Sequence, residues 1–433
     1  MEAAEPVGRR SDQRVGQRAD VVVVGGGVVG VAAAWELATR GVPVTLVDKG
    51  AIAAGCSYGN AGYICPSHSV PLPHPGVLAQ GLRFMLDATS PFYVRPRLDR
   101  ELARWLWRFR SACTERHVRH ALPVIRDLSQ ASLELFTEIA GNFDFGFRRD
   151  GLLTVYRTER AFHAGCREAD MLQRAGIAVK ILHPEAVHTV EPSLRPDVVG
   201  ALYFPDDAHA TPDRFVRGLA RLAEDAGVTL KTETEVLGFR TDGARVVAVE
   251  TTRGDIACRE LVLAAGSWSP ILARWLGLRV PVQAAKGYSL TYEAPENGPR
   301  RPILCAEARV AITPMRGDHG PILRFGGTLE LAGLDMSINR PRVAAIERGA
   351  RQFLALPDEL SLVEMWRGLR PCTPDGLPMI GRPRRWKNLV VATGHAMLGF
   401  TLGPVTGQLV AQVVTGETPR LDLRPVDPDR FAR

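Results

Sequence analysis

The chain has little lysine, few cysteines and no long apolar run, and each shortage narrows what it can be. Only five of its 54 basic residues are lysine, so the net charge of +7 over 433 residues is carried by arginine. No lysine-rich strip stands apart, and outside one segment both signs interleave, so nucleic acid is not an expected partner. The seven cysteines, at 56, 65, 113, 166, 258, 305 and 372, are scattered, odd in number and free of C-x-x-C pairs. That points to a reducing compartment, and away from a disulfide scaffold or a zinc site. H-E-x-x-H is missing too. His117 and His120 have no acid or cysteine partner in sequence and are expected on an exposed basic face, so no metal is expected.

The one long apolar stretch, 21–34, meets Glu36 before the roughly 20 residues that a membrane span needs. It also contains Gly25, Gly26, Gly27 and Gly30, which weaken a helix in that half. The segment before it is polar, lacks a signal-type apolar core, and reads as a disordered tail over 1–18. A twin-arginine signal on Arg9 and Arg10 is disfavoured, because ordinary amphipathic helix follows Ala34. The expected location is therefore cytoplasmic, or at the inner face of the cytoplasmic membrane.

What the stretch offers instead is a phosphate-binding turn. Val21, Val22, Val23 and Val24 suit a buried parallel strand. Gly25-x-Gly27-x-x-Gly30 turns the chain into a helix from about Val28 to Thr39. Gly41 closes it, and a second strand, 44–47, ends at Asp48. The first glycine makes the turn, the second lets backbone approach a pyrophosphate, and the third lets helix meet strand. An acid at this offset holds a ribose hydroxyl. The pyrophosphate charge would rest on the helix N-terminus.

Strand–helix elements of this kind recur around 206–270 and at the C-terminus. "ATPDRFVRGLARLAEDAG" carries Thr211 as N-cap, Pro212 as first helical residue and Gly227 as stop. The segment 228–239 reads as one strand, followed by a meander and a buried strand. "VQAAKGYSLTYE", "VAITPM" and "PILRFGG" read as strands of a separate antiparallel sheet. The expected fold is α/β: a Rossmann-like FAD-binding domain (19–85, 205–280, 365–433) interrupted twice by an α+β substrate domain (86–204, 281–364).

Residues 83–119 concentrate nine arginines against four acids, with Trp105, Trp107 and Phe109 among them. They read as a helical cap of the substrate domain, or as a surface for anionic lipid or a redox partner. Near the C-terminus a strand ends at Gly394, and "GHAMLGFTLG" leads into a helix starting near Thr401 or Gly403. A helix N-terminus aimed at a flavin would stabilise negative charge along N1–C2=O on reduction.

"VVVVGGGVVGVAAAWEL", "CSYGNAGYICP", "KGYSLT", "WRGLRPCTPDGLPMIG" and "ATGHAMLGFTLGPVTGQLV" together resemble the D-amino-acid oxidase/glycine oxidase superfamily, and most of all its bacterial D-amino-acid dehydrogenase branch. The resemblance runs from about Asp20 to Glu417. It implies a non-covalent FAD and hydride transfer from an amine-bearing carbon to flavin N5, with substrate above the flavin. The product would be an imino acid that water converts to a 2-oxo acid and ammonia. A cyclic imino acid (D-proline or cis-4-hydroxy-D-proline), glycine or sarcosine is the alternative substrate. A quinone or another electron acceptor would reoxidise the flavin, with peripheral membrane contact as one route.

The resemblance also implies roles. Gly25, Gly27, Val28, Val29 and Gly30 would cradle the pyrophosphate, and Asp48 and Lys49 would meet the adenosine ribose. Val236, Ala265 and Gly266 would line the adenine side. Ser57, Asn60, Ala61 and Gly62 would pass beside the isoalloxazine, and Gly394, His395, Leu398, Gly399 and Thr401 would border its pyrimidine edge. Arg370 would pair with the substrate carboxylate, a role that suits its planar fork; a structural pair with Asp375 is the alternative. The tyrosine of the oxidase branches has no match near Val310 and Ala311, so Tyr288, or else Tyr63, is the expected second hydroxyl. Arg324 falls where oxygen-using relatives keep a lysine. Cys372 does not sit where covalent members attach their flavin. No triad, carboxylate dyad or metal cluster is visible, and hydride transfer needs no strong protein base.

Overall fold

The computed structural model describes residues 17–79, 81 and 90–432. From the N-terminus run β1 (Gln17–Val24), α1 (Val28–Ala38), β2 (Val44–Val47) and β3 (Tyr63–Ile64). Next come β4 (Phe92–Val94), α2 (Arg100–Ala112), α3 (Glu115–Ile139), β5 (Leu152–Tyr156), α4 (Glu159–Arg174), β6 (Lys180–Leu182), α5 (Pro184–Val190) and β7 (Gly200–Phe204). The chain returns through β8 (Ala208–His209), α6 (Pro212–Asp225), β9 (Thr229–Lys231), β10 (Val236–Asp242), β11 (Arg245–Thr251), β12 (Ile256–Leu263) and α7 (Ser269–Trp275). It leaves again through β13 (Gln283–Glu293), β14 (Ile303–Cys305), β15 (Val310–Arg316), β16 (Pro321–Leu331), α8 (Arg340–Arg351) and β17 (Leu362–Cys372). β18 (Met379–Gly381), β19 (Leu389–Thr393) and α9 (Gly403–Thr415) finish it.

The first sheet has the order β10-β11-β12-β1-β2-β9, with β19 also on β12 and β18 on β19. β1, β2, β9, β12 and β19 are mutually parallel where they pair. Val21, Val22, Val23 and Val24 are at most 5% exposed, as the unbroken apolar run requires of a strand covered on both faces. The second sheet has the order β17-β13-β16-β15-β14-β5-β7-β6. It is antiparallel except where β14 meets β5 and β4 meets β16. No helix of the described residues is long and apolar enough to cross a membrane.

Three expectations change in detail. The segment 228–239 is not one strand: β9 pairs with β2 at one edge of the first sheet and β10 with β11 at the other. Glu233, at φ 49°, turns the chain between them. Thr211 caps α6 through its backbone only, because its hydroxyl exchanges hydrogen bonds with Arg316 instead. His117 is only partly exposed, and its Nε2 lies 2.7 Å from the Asp375 carbonyl oxygen. The expected tail falls largely on residues outside the described ones, and β1 already begins at Gln17.

α1 and α9 set the geometry of the nucleotide end. A Cβ on Gly403 would stand 2.4 Å from Val28 Cγ2, and one on Gly407 would stand 2.5 Å from the Ala32 carbonyl carbon. Contacts four residues apart on both helices mean that the two run parallel and start side by side. Their positive dipole ends therefore open in the same direction.

Candidate active site

The glycine loop between β1 and α1 has the shape its sequence requires. Gly25 holds φ +121°, and a Cβ there would lie 2.4 Å from the Ala264 carbonyl oxygen. Gly30 has its own constraint: a Cβ would lie 1.8 Å from the Gly25 carbonyl oxygen, so only glycine lets α1 start this close to the loop. Around Gly27 the nearest atom to such a Cβ is Ser57 Oγ, at 3.4 Å. The first-turn amides of a helix have no intrahelical partner. Here the Val28 amide donates to Ser57 Oγ at 3.0 Å, with Val29 and Gly30 following in the same turn. Asp48 accepts from the amides of Gly26, at 2.6 Å, and Gly50, at 2.8 Å, which ties the acid at the end of β2 to the glycine loop. Burial raises its pKa, against the pull of those two amides.

The adenine-side residues gather at the same ends. Val236 shares an apolar cluster with Val24 and Val47, and Ala265 packs on that cluster. Gly266 turns the chain at φ +53° into the segment carrying Trp268. Lys49 Nζ stands 4.3 Å above the Trp268 ring. The loops expected around the flavin head also meet. Asn60 Oδ1 accepts from the Gly62 amide at 2.8 Å, and Ala61 offers its carbonyl to Thr313 Oγ1 at 2.6 Å. Gly62, at φ +74°, packs against the Ala210 carbonyl so tightly that a Cβ would lie 2.2 Å away. Thr401 Oγ1 donates to the Tyr63 carbonyl at 2.9 Å, joining the C-terminal loop to this stretch. His395 is buried and its pKa is pushed down to about 3, so it stays neutral; its Nε2 lies 3.0 Å from Thr406 Oγ1 in α9. Leu398 and Gly399 complete the turn before α9, and Gly394 enters it at φ +82°. A glycine cradle, a serine at a helix start and an acid on the loop fit the diphosphate and ribose of a dinucleotide.

Arg370 lies on the second sheet. The β13–β17 register pairs Ala285 with Arg370, Gly287 with Gly368 and Ser289 with Trp366. Side chains alternate along strands, so Arg370, Gly368 and Trp366 share one face. The guanidinium crosses Gly287, where a Cβ would lie 2.1 Å from Nη1, and donates from Nη1 to the Thr328 carbonyl at 2.7 Å. Thr328 sits at φ 66°, beside the register shift between β13 and β16. Among the described residues no carboxylate pairs with Arg370. Asp375, the alternative partner, is taken by Arg430 at 2.8 and 3.1 Å.

Two more residues on this face were not assigned these roles from sequence. Trp366 lies against Gly59 and Gly368, where a Cβ would stand 2.1 and 2.0 Å from its ring. It walls the space between the 57–62 loop and Arg370. Arg324, only 3% exposed, donates to the carbonyls of Tyr58 and Asn60 at 3.0 and 3.1 Å and to Thr291 Oγ1 at 3.1 Å. It braces the loop. Strand alternation was the signal for Trp366; Thr328 had none, because its bulge is a tertiary feature.

Neither expected hydroxyl reaches this face. Tyr288 lies between Gly287 and Ser289, so it points to the opposite side of β13. There it donates to Glu330 Oε2 at 3.3 Å and accepts from the Asn339 amide at 3.2 Å. Tyr63 donates to the Ile303 carbonyl at 2.7 Å and accepts from the Ile312 amide at 3.2 Å. Both are spent inside the protein.

The chain belongs to the DAO family of FAD-dependent oxidoreductases, whose model matches residues 20–413. It is 34% identical over 422 residues to a D-amino acid dehydrogenase of Agrobacterium fabrum, covering 95% of this chain and 100% of that one. A D-amino acid dehydrogenase of Granulibacter bethesdensis is 32% identical, covering 95% and 99%. Among solved structures, glycine oxidase from Geobacillus kaustophilus superposes with a TM-score of 0.77 at 26% identity, covering 96% of this chain and 99% of that one.

Proposed function

We propose that the protein oxidises a D-amino acid to its imino acid, which water hydrolyses to a 2-oxo acid and ammonia. The observation that carries this is Arg370: a partly buried guanidinium that, among the described residues, has the Thr328 carbonyl as partner and no acid, on the face that meets loop 57–62. A bidentate fork left without an anion suits a carboxylate-bearing substrate. The names of the curated relatives support the D-amino acid reading.

FAD, when bound, supplies the hydride acceptor. Gly25, Gly27, Val28, Val29 and Gly30 would hold its diphosphate, Asp48 and Lys49 its ribose, and the paired starts of α1 and α9 would favour negative charge there. Val236, Ala265 and Gly266 would flank the adenine, and the loops 57–62 and 394–401 the ring system. Arg370 would fix the carboxylate, and Trp366 would bound the side chain. The substrate supplies a neutral amine, and no protein base is needed. Small apolar or cyclic substrates, such as D-alanine, D-proline and cis-4-hydroxy-D-proline, are the proposed range, because Arg324, the other arginine of this face, is held by Thr291, Tyr58 and Asn60. A quinone or another acceptor reoxidises the flavin in this reading, with α2 and its exposed Trp107 as a peripheral membrane contact.

Anaerobic mixing with a panel of D- and L-amino acids tests the reading. Bleaching of the flavin by D-isomers supports it. Bleaching by glycine or sarcosine alone, or faster bleaching by L-isomers, would overturn it.

A further inference from the structure

Three potential metal ligands converge next to the C-terminal loop, where the Cys65 side chain meets Thr401. β3 and β8 form a two-stranded ribbon in which Tyr63 pairs with His209 and Ile64 with Ala208. The next positions in that register place Cys65 opposite Asp207. After Cys65 the chain turns at once, because the His68 amide donates to the Cys65 carbonyl at 3.1 Å. The turn folds the imidazole back, stacked on the Tyr63 ring with centroids 6.0 Å apart. One donor atom from each of Cys65, His68 and Asp207 lies within 4.8 Å of the other two. Donors around a tetrahedral zinc, at metal–ligand distances of about 2.0–2.3 Å, stand roughly 3.3–3.8 Å apart. Small side-chain movements would close the set.

We propose that Cys65, His68 and Asp207 form a binding site for a zinc-type divalent cation. The donor set of one thiol, one imidazole and one carboxylate is borderline-soft, and three protein ligands leave a fourth position open. Asp207 is 1% exposed and has no ion-pair partner among the described residues. Its oxygens accept only from the Ser67 amide and hydroxyl, contacts that orient the carboxylate rather than neutralise it. His68 Nδ1 is buried without a hydrogen-bond partner. A buried carboxylate with no cation nearby is costly, and a divalent ion would remove that cost. On binding, the Cys65 thiol gives its proton to solvent and the sulfur coordinates as thiolate.

A cavity borders the Asp207 side of the set, though Cys65 and His68 do not line it. A cavity of about 540 Å³ is lined by Pro66 and Asp207 together with Glu134, Glu138, Asp206 and Arg149, four carboxylates against one arginine. Sequence spacing alone hid the site, because Asp207 reaches Cys65 only through the ribbon.

The FAD-loaded protein, exposed to zinc chloride and gel-filtered, should retain one zinc per chain. Cobalt in its place should show thiolate charge transfer and tetrahedral d–d bands at longer wavelength than the flavin. Cys65→Ser and His68→Gln should each weaken zinc binding at least about tenfold, as read by chelator competition, with flavin content unchanged in His68→Gln. Failure of the wild-type protein to retain zinc, or a cobalt spectrum without thiolate character, overturns the proposal whatever the variants do. Equal zinc affinity in wild type and both variants does so too, by assigning the metal to the surface.

Discussion

Arg370 Nη1 donates to the Thr328 carbonyl at 2.7 Å, across a strand whose facing residue is Gly287. A neutral carbonyl orients the guanidinium without spending its charge, so the fork stays available to an anion. Arg370→Ala should therefore cut kcat/KM for the best D-amino acid by about 2–5 kcal/mol. Arg370→Lys should recover little, because a point charge cannot make the paired contact. Steady-state assays with an artificial dye, alongside flavin-to-protein absorbance, check both parts; wild-type activity in Arg370→Ala would remove it from the site.

Gly287 tests the same contact from below. A Cβ there would stand 2.1 Å from Nη1, and the guanidinium would have to move. Gly287→Ala should lower kcat/KM by about 10²-fold, the scale expected for an ångström of misplacement. Thermal unfolding should remain a single transition. A fully active Gly287→Ala would show that the observed pose is not the one used.

Asp48, the proposed ribose contact, is tied to the glycine loop through the amide of Gly26 and also accepts from that of Gly50. Asp48→Ala leaves these amides without their acceptor, a loss of about 1–3 kcal/mol. The expected result is protein purified with substoichiometric FAD and regaining activity at high added FAD. Full occupancy would assign the ribose contact elsewhere.

How these residues come together was legible unevenly. The β1–α1–β2 unit could be read because its signals are local: a valine run, three spaced glycines and an acid, with α1 (Val28–Ala38) and β2 (Val44–Val47) found where expected. The role of Arg370 is proposed from resemblance, and that Asp375 does not pair with it is not visible in sequence, because the competitor Arg430 arrives from the far C-terminus. Tyr288 failed for a simple reason. In a strand one residue is one face, and a hydroxyl's direction is fixed by register rather than by identity. The break at Glu233 leaves no mark in the sequence, because β-type residues flank it on both sides and only sheet pairing separates them.

The flavin should be non-covalent. Cys372 is fully buried, and burial pushes its thiol pKa to about 12, so little thiolate exists to attack a flavin. Acid precipitation should leave the yellow colour in the supernatant. Colour retained in the pellet would reveal a covalent link.

Arg324 bears on the proposed acceptor. Its Nε and Nη1 are engaged by Thr291, Tyr58 and Asn60, so it braces a loop instead of presenting a mobile cation to oxygen. Dyes or quinones should reoxidise the reduced flavin much faster than air does. Rapid stoichiometric peroxide formation would make the protein an oxidase.

The central claim is that Arg370 reads the carboxylate of a D-amino acid. Stopped-flow anaerobic flavin reduction by D-alanine and by D-alaninamide, in wild type and Arg370→Ala, measures it directly. The account predicts a strong wild-type preference for the acid over the amide, with L-alanine slower than D-alanine, and near loss of the acid–amide preference in Arg370→Ala. An acid–amide ratio unchanged by the substitution would contradict it.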